Sequence, residues 1–140
     1  MSVITKTASR KWSGTVNNVD ITLCDEKQTC CTSTLDNVGR DREQGSIDRY
    51  NDPNLLGDCV NAQLEGSLTA TISKNKTDGW RVEWVQVTLA RSRTYFCEFN
   101  RWIDPDGTKT ARVSQKCNKG NIVLDEHNEL ISIYSSFGSD

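Results

Sequence analysis

At 140 residues, 35% of them hydrophobic, the chain is long enough to bury the core of one domain. Its net charge of −2, with acids and bases interspersed, gives no broad basic face, so nucleic acid is not an expected partner. No apolar run approaches the length of a transmembrane segment, and the first residues lack the charged-then-apolar pattern of a signal peptide.

Cysteine usage indicates an oxidising compartment. Zinc would need paired ligands at short spacing, but no Cys-x-x-Cys occurs and the single histidine lies far away in sequence. We therefore predict that the chain is the mature form of a secreted, extracellular protein with all its cysteines in disulfides. Adjacent Cys30 and Cys31 should have different partners, and the spacing leaves the connectivity open. The six residues are Cys24, Cys30, Cys31, Cys59, Cys97 and Cys117.

The N-terminal half predicts short strands joined by polar loops. Residues 3–8 alternate weakly, and residues 19–24 alternate clearly between apolar and polar side chains, as in half-buried strands. The charged segment 25–45 is predicted to be a loop, followed by a short strand at 46–50. After a turn at the Asp-Pro pair, residues 55–60 are predicted to lead into another strand.

The richest strand pattern lies between Trp80 and Trp102. Trp80 and Val82 share one parity of a two-residue repeat, whereas Val85 and the apolar residues after it share the other. A strand can keep both sets on one face only if a bulge shifts the phase. We therefore predict two antiparallel strands, the first bulged near Trp84.

The other strands complete an all-β pattern. Residues 66–74 and 108–115 are predicted strands, and two apolar patches at 122–124 and 130–134 predict a hairpin. About eight short strands with turn signals between them favour a two-sheet antiparallel β-sandwich with a short C-terminal extension.

Five motifs in consistent order resemble the PLAT (lipoxygenase-homology, LH2) domain family over residues 3–116. They are Ser13-Gly14-Thr15 before the strand at Val19, Glu43-Gln44-Gly45-Ser46-Ile47-Asp48 after Asp41-Arg42, Leu56-Gly57, Trp80-x-Val82-x-x-Val85-x-Val87, and Trp102-Ile103. The thiol of Cys97 lies two residues before the family's usual position, and the tail from Asn118 lies outside the pattern. The resemblance implies a sandwich domain at 1–117 and an extension at 118–140, which as a possible hairpin would pack on the same domain.

The resemblance also implies a non-catalytic module that binds proteins or lipid surfaces, present here without an attached enzyme. Some relatives bind calcium in loops at one end, but the family's loop aspartate falls on Val16, which cannot ligate through its side chain. We therefore expect no cofactor except a weakly bound calcium ion; the alternative is an ordinary acidic loop. The remaining candidate ligands are Gly14, Asn17, Asn37, Asp41 and Glu43.

Three residues of one loop are candidate contacts. Trp12 lies beside Arg10 and Lys11, a combination that suits a membrane interface, unless Trp12 folds back over the sandwich edge. Trp84 is either an exposed contact residue or part of the core. Pattern and family both place Trp102 in the core.

We expect no enzyme activity. His127 has acidic neighbours, but they lie in a predicted turn, and no nucleophile elbow, phosphate loop or metal-ligand spacing is present. The sequence thus ranks protein–protein interaction through the loop end first, peripheral lipid binding, with or without calcium, second, and a hydrolase using His127 last. Asn75-Lys76-Thr77 is the one Asn-x-Ser/Thr sequence, which predicts glycosylation of Asn75. The oligomeric state is left open.

Overall fold

The computed structural model describes residues 1–11, 13–15, 19–36, 42–75, 79–89, 93–104, 110–124 and 130–134, with side chains up to residue 120. Short strands make up most of this part of the chain. They are β1 Ser2–Thr7, β2 Val19–Asp25, β3 Cys30–Leu35, β4 Ile47–Tyr50, β5 Leu68–Lys74, β6 Trp80–Thr88, β7 Thr94–Ile103, β8 Ala111–Lys119, β9 Asn121–Leu124 and β10 Leu130–Tyr134. One helical turn, α1 Pro53–Leu56, runs into a 3₁₀ turn at Gly57–Asn61.

Eight of these strands form one curled antiparallel sheet in the order β3-β2-β5-β8-β7-β6-β1-β4, while β9 and β10 pair separately as a hairpin. The curl brings two halves face to face, so the predicted β-sandwich and the predicted hairpin are both confirmed. β8 joins the halves, because it pairs with β5 from Ala111 to Cys117 and then with β7 at Asn118 and Lys119.

The core lies between the two layers and follows the two-residue repeat. In β2, Val19, Ile21 and Leu23 are buried, whereas the side chain of Asp20 between them is exposed. Trp80 of β6 is fully buried, and its indole Nε1 donates to the hydroxyl of Thr7 at 2.9 Å. Burying side chains of this size contributes about 1.5–3 kcal/mol each relative to exposure, so these strands supply most of the driving force.

The predicted bulge is present. Between Val82 and Trp84, β6 advances two residues while its partner β1 advances one. Beyond this extra residue, Val85 and Val87 face the same core as Trp80. The extra residue lets both apolar sets of β6 reach one side of the sheet.

Three predictions of local structure were wrong. The segment 25–45 contains strand β3, and the residues around Cys59 and Val60 form the 3₁₀ turn instead of a strand. The preceding α1 is one turn long; Asp52 caps it by accepting from the backbone N–H of Asn54, and Pro53 occupies its first turn. Asp-Pro, interpreted above as a turn, is here a helix start.

All six cysteines are paired. Cys24 bridges to Cys30 across the β2–β3 hairpin, Cys31 to Cys59 in the 3₁₀ turn, and Cys97 of β7 to Cys117 of β8. Adjacent Cys30 and Cys31 take different partners, as predicted, because successive side chains of a strand point to opposite faces. Three disulfides are compatible with an extracellular protein.

The β2–β3 turn is held by the carboxylate of Asp25. It accepts backbone hydrogen bonds from Glu65 at 3.0 Å and from Lys27 and Thr29 at 2.9 Å each, and the residue is 4% exposed. These bonds, led by that from Glu65, hold the pKa of Asp25 below its ordinary value of 3.8. Their stabilisation is therefore complete above pH 3.8 and is lost as the pH falls through the lower folded-state value.

We expect Asp25→Asn to lower the thermal midpoint at pH 7, because a neutral amide accepts these hydrogen bonds more weakly. We also expect its midpoint to fall less than the wild type's between pH 5 and pH 2. Asp20→Asn, an exposed change on the same strand, serves as the control in these melting curves. Equal acid sensitivity of wild type and Asp25→Asn would contradict this assignment.

Candidate binding surface at the loop end

Four connections gather at one end of the sandwich, which we call the loop end. They join β1 to β2 (8–18), β3 to β4 (36–46), β5 to β6 (75–79) and β7 to β8 (104–110). The antiparallel register places them together: the last residue of β1 pairs near the start of β6, whose first residue pairs with the last of β7. Functional loops of sandwich domains typically cluster in this way at one end of a rigid scaffold.

The first two connections are hydrogen-bonded to each other. The backbone N–H of Thr15 donates to the carbonyl of Arg42 at 3.0 Å, and that of Gly45 donates to Ala8 at 3.0 Å. A Cβ at Gly14 would lie 2.8 Å from the same Arg42 carbonyl oxygen, so only glycine permits this approach. The two segments that the family resemblance singled out are therefore in direct contact.

Arg42 anchors the β3–β4 connection from beneath. It is 1% exposed, and its guanidinium donates to the carbonyl of Leu35 at 2.6 Å and to the hydroxyl of Tyr50 at 3.1 Å. Its own backbone N–H donates to the carboxylate of Asp48 at 2.8 Å, and its φ of 53° is a conformation that costs a non-glycine residue free energy. Nothing in the linear sequence distinguishes Arg42 from an exposed arginine.

Two further buried cations hold the backbone of the loop end. The ammonium of Lys6 donates to the carbonyl of Gly45 at 2.9 Å, and that of Lys74 donates to the carbonyl of Asn75 at 3.1 Å. Lys6 and Lys74 are 3% and 1% exposed. Burying a charged group is costly without compensating hydrogen bonds, so three such residues at one end mark loops whose shape is strongly determined.

Trp102 lies at the loop end, and its exposure contradicts the prediction that it belongs to the core. The residue is 39% exposed, and no other large hydrophobic residue among those with described side chains is as exposed. Trp102 pairs with Arg81 across the β6–β7 ladder, and exposed Arg101 precedes it in sequence. The parity of β7 explains the exposure: Ile103 takes the inward position, and Trp102 therefore points outward.

The β1–β2 connection carries two exposed basic residues at the same end of the sandwich. Arg10 and Lys11 are both exposed, and the carbonyl of Ser13, two residues on, accepts the backbone N–H of Arg81 at 3.0 Å. The loop end therefore brings Arg10 and Lys11 to the same end of the sheet as Trp102. Trp12 lies outside the described residues.

Only some of the candidate calcium ligands belong to the described residues. Gly14 and exposed Glu43 are described and lie in the two adjoining connections, whereas Asn17, Asn37 and Asp41 lie outside the described residues. Gly14 and Glu43 would supply a carbonyl and one carboxylate, a partial set for a cation that takes six to eight oxygens. Lys6 and Arg42, both buried cations, adjoin the same connections and oppose a further cation electrostatically.

Trp84 takes the second of its two predicted alternatives. It is 3% exposed and packs with Ile4 and Phe96 in a small cluster separate from the main core, its ring centroid 5.9 Å from that of Phe96. A residue this deeply buried cannot serve as a surface contact in this conformation. His127 lies outside the described residues, so the low rank of a hydrolase that uses His127 stays a prediction from the sequence.

Among the described residues, none of the helices has the length and hydrophobicity that a membrane span requires. The possible ligand atoms of Cys31, Asp58 and Cys59 lie close enough together to hold a metal ion. Both sulfurs, however, belong to one disulfide and are not available as thiolates.

Solved structures of other proteins share this fold, whereas comparisons of sequence find no match. No family model matches, and no curated protein matches. Among solved structures, a LOX variant aligns with a TM-score of 0.64 at 19% identity over 94% of this chain. A coral 8R-lipoxygenase aligns with 0.63 at 16% over 86%. The alpha toxin of Clostridium absonum aligns with 0.53 at 23% over 80%.

This chain covers 18%, 17% and 30% of the lengths of those three structures. At these identities the likeness shows a shared fold and no more. The chain therefore has the fold of a PLAT/LH2-like β-sandwich domain.

Proposed function

We propose that this domain is a non-catalytic module that attaches to an anionic lipid surface through the loop end. The observation that carries the proposal is the exposure of Trp102 on the outer face, next to Arg81, its partner across the β6–β7 ladder. Tryptophan prefers the boundary between water and the hydrocarbon region, and nearby arginine or lysine side chains attract anionic headgroups.

The structural neighbours support this choice over the protein-binding role that the sequence ranked first. One neighbour, the coral 8R-lipoxygenase, is described as activated by calcium through a C2-like domain. That description concerns the coral enzyme, and what supports a lipid surface for this chain is the exposed Trp102 with basic residues at the same end of the sheet. We expect calcium to contribute little, because Val16 stands where the family has its loop aspartate, and the buried cations Lys6 and Arg42 hold the adjoining connections.

The aromatic part of the proposal predicts a large effect of Trp102→Ala on lipid binding. A tryptophan buries 150–250 Å² when enclosed, so about 40% exposure leaves roughly 60–100 Å² to bury in a lipid interface. At about 25 cal/mol per Å² this is roughly 2 kcal/mol, or about thirtyfold in affinity. Co-sedimentation with phosphatidylserine-containing vesicles measures the loss, and thermal unfolding of the same variant should show a near-native midpoint.

The charge part is tested with a matched pair of variants. Replacing Arg10 and Lys11 by alanine should weaken binding by roughly 1 kcal/mol per residue, whereas replacing exposed Lys27 and Lys116, away from the loop end, should not. Both variants change the net charge equally. Equal losses would show that overall charge, and not the loop end, controls binding. Pure phosphatidylcholine vesicles and added chelator complete the comparison, and binding that requires calcium would contradict the calcium statement above.

Protein–protein interaction remains the second candidate, since tryptophan and arginine are also enriched at the centres of protein interfaces. The same patch would then bind an extracellular protein. Failure of the wild type to sediment with anionic vesicles at low salt would reject the lipid proposal and leave this one.

A further inference from the structure

Asn75 begins the β5–β6 connection, with its side chain exposed and its backbone held by a hydrogen bond. Its carbonyl accepts the hydrogen bond from the buried Lys74 ammonium at 3.1 Å, while the residue itself is exposed. The backbone is thus held in place and the side-chain amide is open to solvent. Asn75-Lys76-Thr77 satisfies the acceptor sequence for N-linked glycosylation, and no other asparagine in the chain does.

A groove of about 330 Å³ adjoins Asn75 on the outer face of the β3-β2-β5-β8 layer. Its lining is polar, with hydroxyl groups, a carboxylate and a guanidinium. Six of the lining residues are Asp20, Thr22, Ser73, Asn75, Thr110 and Arg112. Groups of this kind donate and accept hydrogen bonds and therefore suit the hydroxyl-rich surface of an oligosaccharide core.

Asn75 also lies close to the proposed contact surface. The connection that starts at Asn75 ends at Gly79, where an added Cβ would come within 3.5 Å of Cε3 of Trp102. Four peptide units of about 3.8 Å separate the Cα atoms of Asn75 and Gly79 by at most about 15 Å. A bulky, hydrated group on Asn75 would therefore occupy the same end of the sandwich as Trp102.

We propose that Asn75 is an N-glycosylation acceptor and that its glycan keeps the loop end away from lipid surfaces. The amide nitrogen of Asn75 loses a proton and bonds to C1 of the first sugar of a lipid-pyrophosphate-linked oligosaccharide, and the lipid pyrophosphate leaves. The first part stands by itself, whereas the second rests on the proposed function. Modified protein would be held in solution, and unmodified protein would be competent to attach.

The acceptor is tested by mass spectrometry of protein from a eukaryotic secretory host. The wild type and Thr77→Ser, which keeps the acceptor sequence, should carry a mass increment that a glycosidase removes. Thr77→Ala and Asn75→Gln, which destroy the sequence in two different ways, should not. An unshifted wild-type mass, in secreted protein with a native melting curve, overturns the proposal.

The effect on attachment is measured with the same four proteins and phosphatidylserine-containing vesicles. Glycosylated wild type and Thr77→Ser should bind at least tenfold more weakly than Thr77→Ala, Asn75→Gln and glycosidase-treated wild type. Equal binding by all forms overturns the blocking role and leaves the acceptor and the lipid function standing. No binding by any form, the unglycosylated ones included, overturns both the blocking role and the lipid function, while the mass data still establish the acceptor.

Discussion

Replacing both Cys97 and Cys117 with alanine is expected to lower the free energy of unfolding by at least about 3 kcal/mol. The bridge spans 20 residues of sequence, and closing a loop of that size in the unfolded chain accounts for about 3 kcal/mol in the chain-entropy model. Both sulfurs are buried, so their removal also leaves unfilled space in the core. Urea unfolding of the oxidised proteins measures the difference.

The hairpin bridge provides the comparison. Cys24 and Cys30 are six residues apart, and Cys30 is exposed, so removing this pair should cost about 2 kcal/mol or less. A larger loss from the Cys24/Cys30 double variant than from the Cys97/Cys117 double variant would contradict the assignment of the latter as the main covalent brace. Equal slopes of free energy against urea concentration would show that the unfolded states are comparable.

Arg42→Met is expected to destabilise the domain by about 3 kcal/mol, despite keeping an apolar side chain of similar length. The guanidinium satisfies the carbonyl of Leu35 and the hydroxyl of Tyr50, and its centre lies 6.0 Å from the centroid of the Tyr50 ring. A buried acceptor left without its donor costs about 1–3 kcal/mol. The substitution leaves two such acceptors, the carbonyl of Leu35 and the hydroxyl of Tyr50.

Arg49→Met is the matched control, since Arg49 is exposed on β4 and surface substitutions usually change stability by less than about 0.5 kcal/mol. Thermal and urea unfolding of the two variants separate the buried position from the charge. Arg42→Gly adds a second comparison, because glycine accepts the positive φ of this position without strain but lacks the side chain. Near-native stability of Arg42→Gly would show that the backbone conformation, and not the guanidinium, limits the loop.

Strong two-residue repeats made most of the sandwich predictable. β2 and β6 alternate apolar and polar residues so clearly that their inward faces, and even the bulge before Trp84, could be inferred. β3 could not be found in this way. Its inward positions are Cys31, Ser33 and Leu35, and a disulfide anchors this strand where a larger apolar side chain would otherwise be needed.

The loop end was less predictable than the strands. Pattern and family position predict Trp102 in the core, whereas in the observed register of β7 Ile103 takes the inward position and Trp102 the outer one. Lys6, Arg42 and Lys74 gave no signal, because charged side chains are expected at the surface. Their burial depends on carbonyl groups that the folded connections provide, and a linear pattern does not encode those conformations.

The double pairing of β8 has a mechanical consequence. A sandwich whose layers meet only through side chains can shear by small sliding steps, whereas here one strand is hydrogen-bonded into both layers, with the Cys97–Cys117 bridge beside the crossing point. Sliding one layer past the other would require breaking backbone hydrogen bonds of β8, so a force applied at the loop end is borne by the whole domain. Shear between the layers is thus resisted by backbone hydrogen bonds as well as by side-chain packing.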